Sequence, residues 1–159
     1  MFRLLHNLWL VVLLGILSSC VPEKPPAPAL KGISDINRSV ILSVGNASPE
    51  FKAGAPLSIA VVNKSEESVE FPSNYNLHLY LLTKKGWMEI PNRFHYSEQG
   101  PIIIPPLSKG GLDQLLIFPL LPARVTLEDI VLRITIAGYG QDSRRKIGAY
   151  LDITLHRGK

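Results

Sequence analysis

The sequence predicts an all-β fold, an antiparallel β-sandwich of about seven to nine strands. Three observations predict it. Val, Ile and Leu recur in short runs that alternate with polar residues, the period of a strand with one buried face. Gly and Pro, 12 and 13 in 159 residues, punctuate those runs at near-regular spacing. Beyond residue 20 no stretch sustains a helical stripe; the nearest is Thr126-Leu127-Glu128-Asp129, where Thr126 could cap one short turn.

The chain opens differently. Arg3 and His6 precede an apolar segment from Leu8 to Leu17, broken only by Gly15, and Ser18 and Ser19 then lead into Cys20. A membrane-spanning helix needs roughly 20 apolar residues. This run is about half that and fits the core of a secretory leader. An ordinary leader cut after Ser19, or a short uncleaved anchor, are the alternatives. Against both stands the chain's single cysteine, placed at the cleavage position and carrying the nucleophile that can accept a diacylglycerol. Leu17-Ser18-Ser19-Cys20 resembles the lipobox of bacterial lipoproteins. That resemblance implies cleavage after residue 19, lipidation of Cys20 and attachment through two or three acyl chains, enough for a stable anchor. It places the protein on the extracytoplasmic face of the cell membrane, or at the outer membrane of an organism that has one. With Cys20 acylated, no disulfide is available and stability must come from packing.

Val21 to Leu30 contains Pro22, Pro25, Pro26 and Pro28, which fix φ and remove backbone donors. This reads as a semi-rigid tether, and a PxxP ligand is its alternative role. The organisation is then a leader at 1–19, a lipidated cysteine and Pro-rich linker at 20–34, and one domain at 35–159.

Within that domain, Arg38 to Gly45, Leu57 to Asn63, Leu77 to Thr83, Leu112 to Phe118, Ile130 to Ile136 and Ile147 to Leu155 read as strands. Shorter ones are Val69 to Phe71, Trp87 to Ile90 and Ile102 to Ile104. Ile130, Leu132, Ile134 and Ile136 share one face, with Arg133 and Thr135 opposite. Ile147, Ala149, Leu151, Ile153 and Leu155 share another, with Tyr150, Asp152, Thr154 and His156 on the wet side. Turn chemistry separates the runs, at Asn46-Ala47-Ser48-Pro49, Asn63-Lys64-Ser65, Lys84-Lys85-Gly86, Ser108-Lys109-Gly110-Gly111 and Gly138-Tyr139-Gly140-Gln141-Asp142.

Asn63-Lys64-Ser65 followed by Val69-Glu70-Phe71-Pro72, the segment Trp87 to Asn92, Leu132-Arg133-Ile134 and the closing Gly148 to Ile153 together resemble bacterial immunoglobulin-like domains of surface lipoproteins. The resemblance spans roughly residues 38 to 156, and the chain lacks the cysteine pair of antibody domains. It implies an immunoglobulin-like β-sandwich acting as a binding or spacer module, and names no ligand.

Catalytic chemistry is not legible. His78, His95 and His156 share no short spacing, and a metal site needs three or four converging ligands; His95 with Glu98 makes at most half of one. Ser73, Ser97 and Ser108 have no base at a telling distance. Glu66-Glu67 and Glu128-Asp129 read as solvated pairs, and Gly138-Tyr139-Gly140 lacks the strand-then-helix context of a nucleotide loop. No enzyme, no cofactor and no metal are expected.

Recognition residues are easier to nominate. Tyr75, Phe94 and Tyr96 lie in or near a proline-rich aromatic segment, and aromatic loops on a rigid sandwich are common recognition surfaces. Trp87 reads instead as a plug for the core. Arg144-Arg145-Lys146 concentrates part of the net charge of +4. Arg144 and Arg145 are candidates for contact with anionic headgroups or wall polymers, the alternative being a solvated hairpin tip. The expected partners are the membrane, through the anchor, and a protein or glycan at the cell surface; nucleic acid is excluded by the address. Asn37, Asn46 and Asn63 begin glycosylation sequons, coincidental behind a bacterial leader. Two other classes compete: a sandwich-type proteinase inhibitor presenting Gly100 to Pro106 as a stiff loop, and an envelope hydrolase, which lacks an acid and base in one neighbourhood.

Overall fold

The computed structural model describes residues 26–44, 56–92, 100–117 and 129–156. The leader with Cys20, the loop with Phe94, His95, Tyr96 and Glu98, and the turn at Thr126 lie outside the described residues.

Among the described residues ten strands follow one 3-10 turn, Pro28–Leu30: β1 (Asp35–Ile36), β2 (Val40–Val44), β3 (Pro56–Asn63), β4 (Val69–Phe71), β5 (His78–Thr83), β6 (Gly86–Ile90), β7 (Ile102–Ile104), β8 (Lys109–Ile117), β9 (Asp129–Gly140) and β10 (Lys146–His156). Every strand read from alternation is present. β1 is additional. Among the described residues no helix is long and apolar enough to cross a membrane.

Two sheets form. The smaller has the order β2-β3-β8, with both pairings antiparallel. In the larger, β10 lies between β9 and β1, the latter parallel to it. The other edge of the long strand β9 is shared: β5 pairs with Leu132 to Thr135 and β4 with Tyr139 and Gly140. β6 extends β5 outward and β7 extends β4. The break between β4 and β5 is made by Tyr75 and Asn76, both at positive φ, and the Tyr75 carbonyl accepts the Ala137 amide at 3.0 Å.

Alternation explains the core. Val40, Leu42, Ile59 and Val61 of the smaller sheet join Leu79, Leu81, Leu132, Ile134, Ile136, Ile147, Ala149 and Ile153 of the larger in one apolar cluster. Burial of such side chains contributes about 1.5–3 kcal/mol each. The fold is all-β.

Four readings are corrected. Ser108-Lys109-Gly110-Gly111 is not a turn throughout, because Lys109, Gly110 and Gly111 pair with Val62, Val61 and Ala60 as the start of β8. Gly138-Tyr139-Gly140 is the end of β9 and not a turn. Gly138 is glycine because an added Cβ would meet the Glu70 carbonyl and lie 2.6 Å from the Phe71 ring; the chain reverses at residues 141–143. The packed body begins before residue 35, since Ala27 and Leu30 are buried. Finally, the outer face of the larger sheet is not simply wet: Arg133 and Thr135 are 2% and 0% exposed, because other parts of the chain cover them.

Candidate functional site

The outer face of the larger sheet carries the densest polar and aromatic cluster among the described residues. β9 and β10 set Arg133 directly opposite Asp152. The guanidinium donates from Nε to Oδ1 at 2.7 Å and from Nη2 to Oδ2 at 2.9 Å, the planar two-point geometry that favours arginine over lysine. Its Cζ lies 4.2 Å from the Trp87 ring centroid and 4.0 Å from that of Tyr150. The cation is therefore layered between two aromatic faces, each worth about 0.5–2 kcal/mol. The Arg133 side chain is 3% exposed and that of Asp152 25%, so the pair opens to solvent on the carboxylate side.

Trp87 thus belongs to this outer cluster and not to the core, correcting the expectation of a plug. β6 pairs Trp87 with Leu82 and Glu89 with Tyr80, which puts Trp87 and Glu89 on the phase that faces away from the smaller sheet. Beside them His78 Nδ1 and Glu89 Oε1 stand 2.7 Å apart, and the His78 ring stacks on Tyr80 with centroids 6.2 Å apart. Tyr80 is buried. Its hydroxyl accepts the Ala29 amide at 3.2 Å. Burial, and then the Glu89 charge, push its acidity to a higher pH than an ordinary tyrosine, offset in part by the Ala29 bond.

Of the residues nominated for recognition, Tyr75 is withdrawn. Its ring sits inside, 2% exposed and 5.3 Å from the Phe71 centroid, because the left-handed backbone at Tyr75 and Asn76 turns it inward. Phe94 and Tyr96 lie outside the described residues. Arg144 and Arg145 occupy the exposed β9–β10 connection. Arg145 Nη2 meets Asp35 Oδ2 at 3.0 Å, so this cation ties the turn to β1. Glu67 holds the same turn, accepting the Ser143 amide at 3.0 Å, the Ser143 hydroxyl at 2.8 Å and the Asp142 amide at 3.2 Å. These bonds, led by that from the Ser143 amide, hold its carboxyl below the ordinary carboxylate range.

A second organised element is Asn63, 1% exposed. Its Nδ2 donates to the carbonyls of Glu67, Ile104 and Pro105 at 2.8, 3.1 and 2.9 Å, and its Oδ1 accepts the Ser65 amide and hydroxyl at 2.9 and 2.7 Å. The Asn-x-Ser turn read from sequence is real, and its asparagine is enclosed and fully engaged.

The Arg133 cluster itself was not nominated. Its signal was present: Arg133 and Asp152 both occupy the polar phase of the last two long strands, where an antiparallel hairpin can set them opposite. Chemically the cluster is a neutralised ion pair framed by aromatic rings. Among the described residues no three His, Cys, Asp or Glu side chains group for a metal ion. Comparison of the chain with protein-family models, with curated proteins and with solved structures gives no match.

Proposed function

We propose that the protein is a lipid-anchored, extracytoplasmic immunoglobulin-like module of the bacterial cell envelope, non-catalytic, acting as a binding or structural unit. The observation that carries this reading is Leu17-Ser18-Ser19-Cys20 at the end of a short apolar run, with the chain's only cysteine at the cleavage position. The strand order supports the second half: the path β10-β9-β5-β6 in one sheet and β2-β3-β8 in the other parallels the division of strands G, F, C and C′ from A, B and E in immunoglobulin-like sandwiches, with β1, β4 and β7 as additions to the larger sheet. The partners are the membrane, through the anchor, and a cell-surface protein or glycan.

The inhibitor alternative is the less favoured reading. Ile102–Ile104 is a strand paired with β4, and Ile104 is 1% exposed, so only part of Gly100 to Pro106 is free to be presented to a protease.

The test is the mass of the mature protein from its native host, together with metabolic labelling by an alkyne fatty acid. A chain beginning at Cys20 with added acyl mass is the expected result, lost in Cys20→Ser. A retained leader or an unmodified Cys20 would refute the reading.

A further inference from the structure

Resting on the lipid-anchored reading above, we propose that the protein lies with the outer face of its larger sheet toward the membrane, and that Lys31 and Lys146 contact anionic phospholipid headgroups there. The argument begins with the length of chain. Only residues 21–26 separate Cys20 from Ala27, and Ala27 is already fully buried. Seven steps of extended Pro-rich chain reach roughly 22 Å.

The place where that reach ends is fixed by packing. Leu30 is buried against the notch at Gly148, and the Ala29 amide is bonded to Tyr80 on the outer face of β5. The tether therefore enters across the outer face of the larger sheet. The opposite surface lies beyond the shared core, a second sheet about 10 Å further on and a layer of side chains.

That outer face carries an open hollow lined by Ala29, Lys31, Ile33, Asn76, Tyr139 and Lys146, with Ala137 and Gly138 of β9. The two lysines are its only charged lining residues, and both are exposed. Tyr139, 44% exposed, adds the amphipathic ring that suits a headgroup layer. Arg144 and Arg145 follow on the adjoining turn. Carboxylates are present as well: Asp35 is bound to Arg145 and Ser39, Glu67 to the turn amides, Glu70 accepts from Gln141, Asp142 is exposed, and further along the same face Glu89 stands against His78 and Asp152 against Arg133. The attraction is accordingly local to the hollow and short-ranged, and salt screens it.

The test uses the full acylated chain in vesicles of phosphatidylglycerol and phosphatidylcholine in equal parts that carry a nitroxide lipid quencher. A fluorophore is placed through Ser34→Cys, beside the hollow, or Ser43→Cys, on the smaller sheet. The Ser34 label is expected to be quenched several-fold more than the Ser43 label. Lys31→Gln and Lys146→Gln should each lower the face-down population roughly fivefold, the size of one basic side chain near an anionic leaflet. Pure phosphatidylcholine vesicles remove the attraction of both lysines at once and should lower it roughly twenty-five-fold without any substitution. Equal quenching of the two labels, or a Ser34 signal indifferent to both lysines and to lipid charge, would overturn the orientation while co-flotation and acyl mass left the anchor standing. Absence of acyl mass on Cys20 would overturn both.

Discussion

Arg133 and Asp152 stand directly across the β9–β10 hairpin and close a two-point ion pair whose cationic half is buried between Trp87 and Tyr150. Removing only the acid takes away the two-point carboxylate that faces the buried guanidinium. Asp152→Ala should therefore cost about 3 kcal/mol, near the lower end for broken buried pairs because the carboxylate is partly solvated. The double variant Arg133→Met, Asp152→Leu removes the charge along with its partner and should cost less than the single one. Urea unfolding of the three proteins measures this. A double variant less stable than Asp152→Ala would show that stacking, and not charge compensation, dominates the cluster.

Asn63 is the second site where one side chain organises several segments. Its amide joins the end of β3, the Ser65 turn and the strand end at Ile104 and Pro105. Asn63→Ala strands three carbonyl acceptors, some reachable by water, and should cost about 2–3 kcal/mol. Asn63→Asp places a carboxylate against those same carbonyls and should be the worse substitution near neutral pH, recovering partly as the acid protonates. Thermal unfolding at two pH values checks both statements. Equal stability of the two variants at neutral pH would contradict the donor role of Nδ2.

Much of this architecture is legible in the sequence because alternation is a local signal. Leu132, Ile134 and Ile136 against Arg133 and Thr135 reveal β9 without reference to any other part of the chain, and Asn63-Lys64-Ser65 marks its turn by the residue types a side-chain-capped turn uses. What escapes is whatever depends on a distant segment. The burial of Ala27 and Leu30 is invisible in a proline-rich stretch with no period, since only the surface of β5, β9 and β10 makes those positions interior. Gly138 and Gly140 look like turn residues, yet Gly138 answers to Phe71, far away in sequence. Arg133 reads as solvent-facing because Trp87 and Tyr150, which cover it, come from other strands. Tyr75 reads as a loop aromatic because a left-handed backbone, not its neighbours, turns it inward.

Glu67 makes the β9–β10 turn sensitive to acid. Its carboxyl is held below the ordinary value of 4.5, first by the Ser143 amide. For a carboxyl whose folded value is depressed, the linked stabilisation is fully present above the unfolded value and is lost as pH falls through the folded one. The turn should thus be firm at neutral pH and loosen only below the ordinary carboxylate range. Amide exchange at Asp142 and Ser143, followed by NMR as pH is lowered, should accelerate there beyond the intrinsic trend. Glu67→Gln should exchange faster at neutral pH and lose that acid component. A pH profile unchanged by the substitution would mean that Arg145 and Asp35 hold the turn without help.

The segment across the outer sheet face rests on a single missing methyl group. A Cβ on Gly148 would lie 2.8 Å from Leu30 Cδ2 and 3.4 Å from Ile33 Cδ1. Because β10 is paired on both sides, the segment carrying Leu30 and not the strand must yield. Gly148→Ala should displace Leu30 at a cost of about 1–2 kcal/mol, and Leu30→Ala, which empties the notch, about 2–3 kcal/mol. The two act at one contact and should not add: with Leu30 already truncated, the alanine at 148 has room and its penalty should fall to near zero. Limited proteolysis adds a local readout, since trypsin needs the backbone at Lys31 in extended form and a displaced segment frees it from the Pro28–Leu30 turn, while the strands beyond β1 stay protected. Full additivity of the two substitutions, or a Lys31 cleavage rate unmoved by either, would show that this segment does not depend on the Leu30–Gly148 contact.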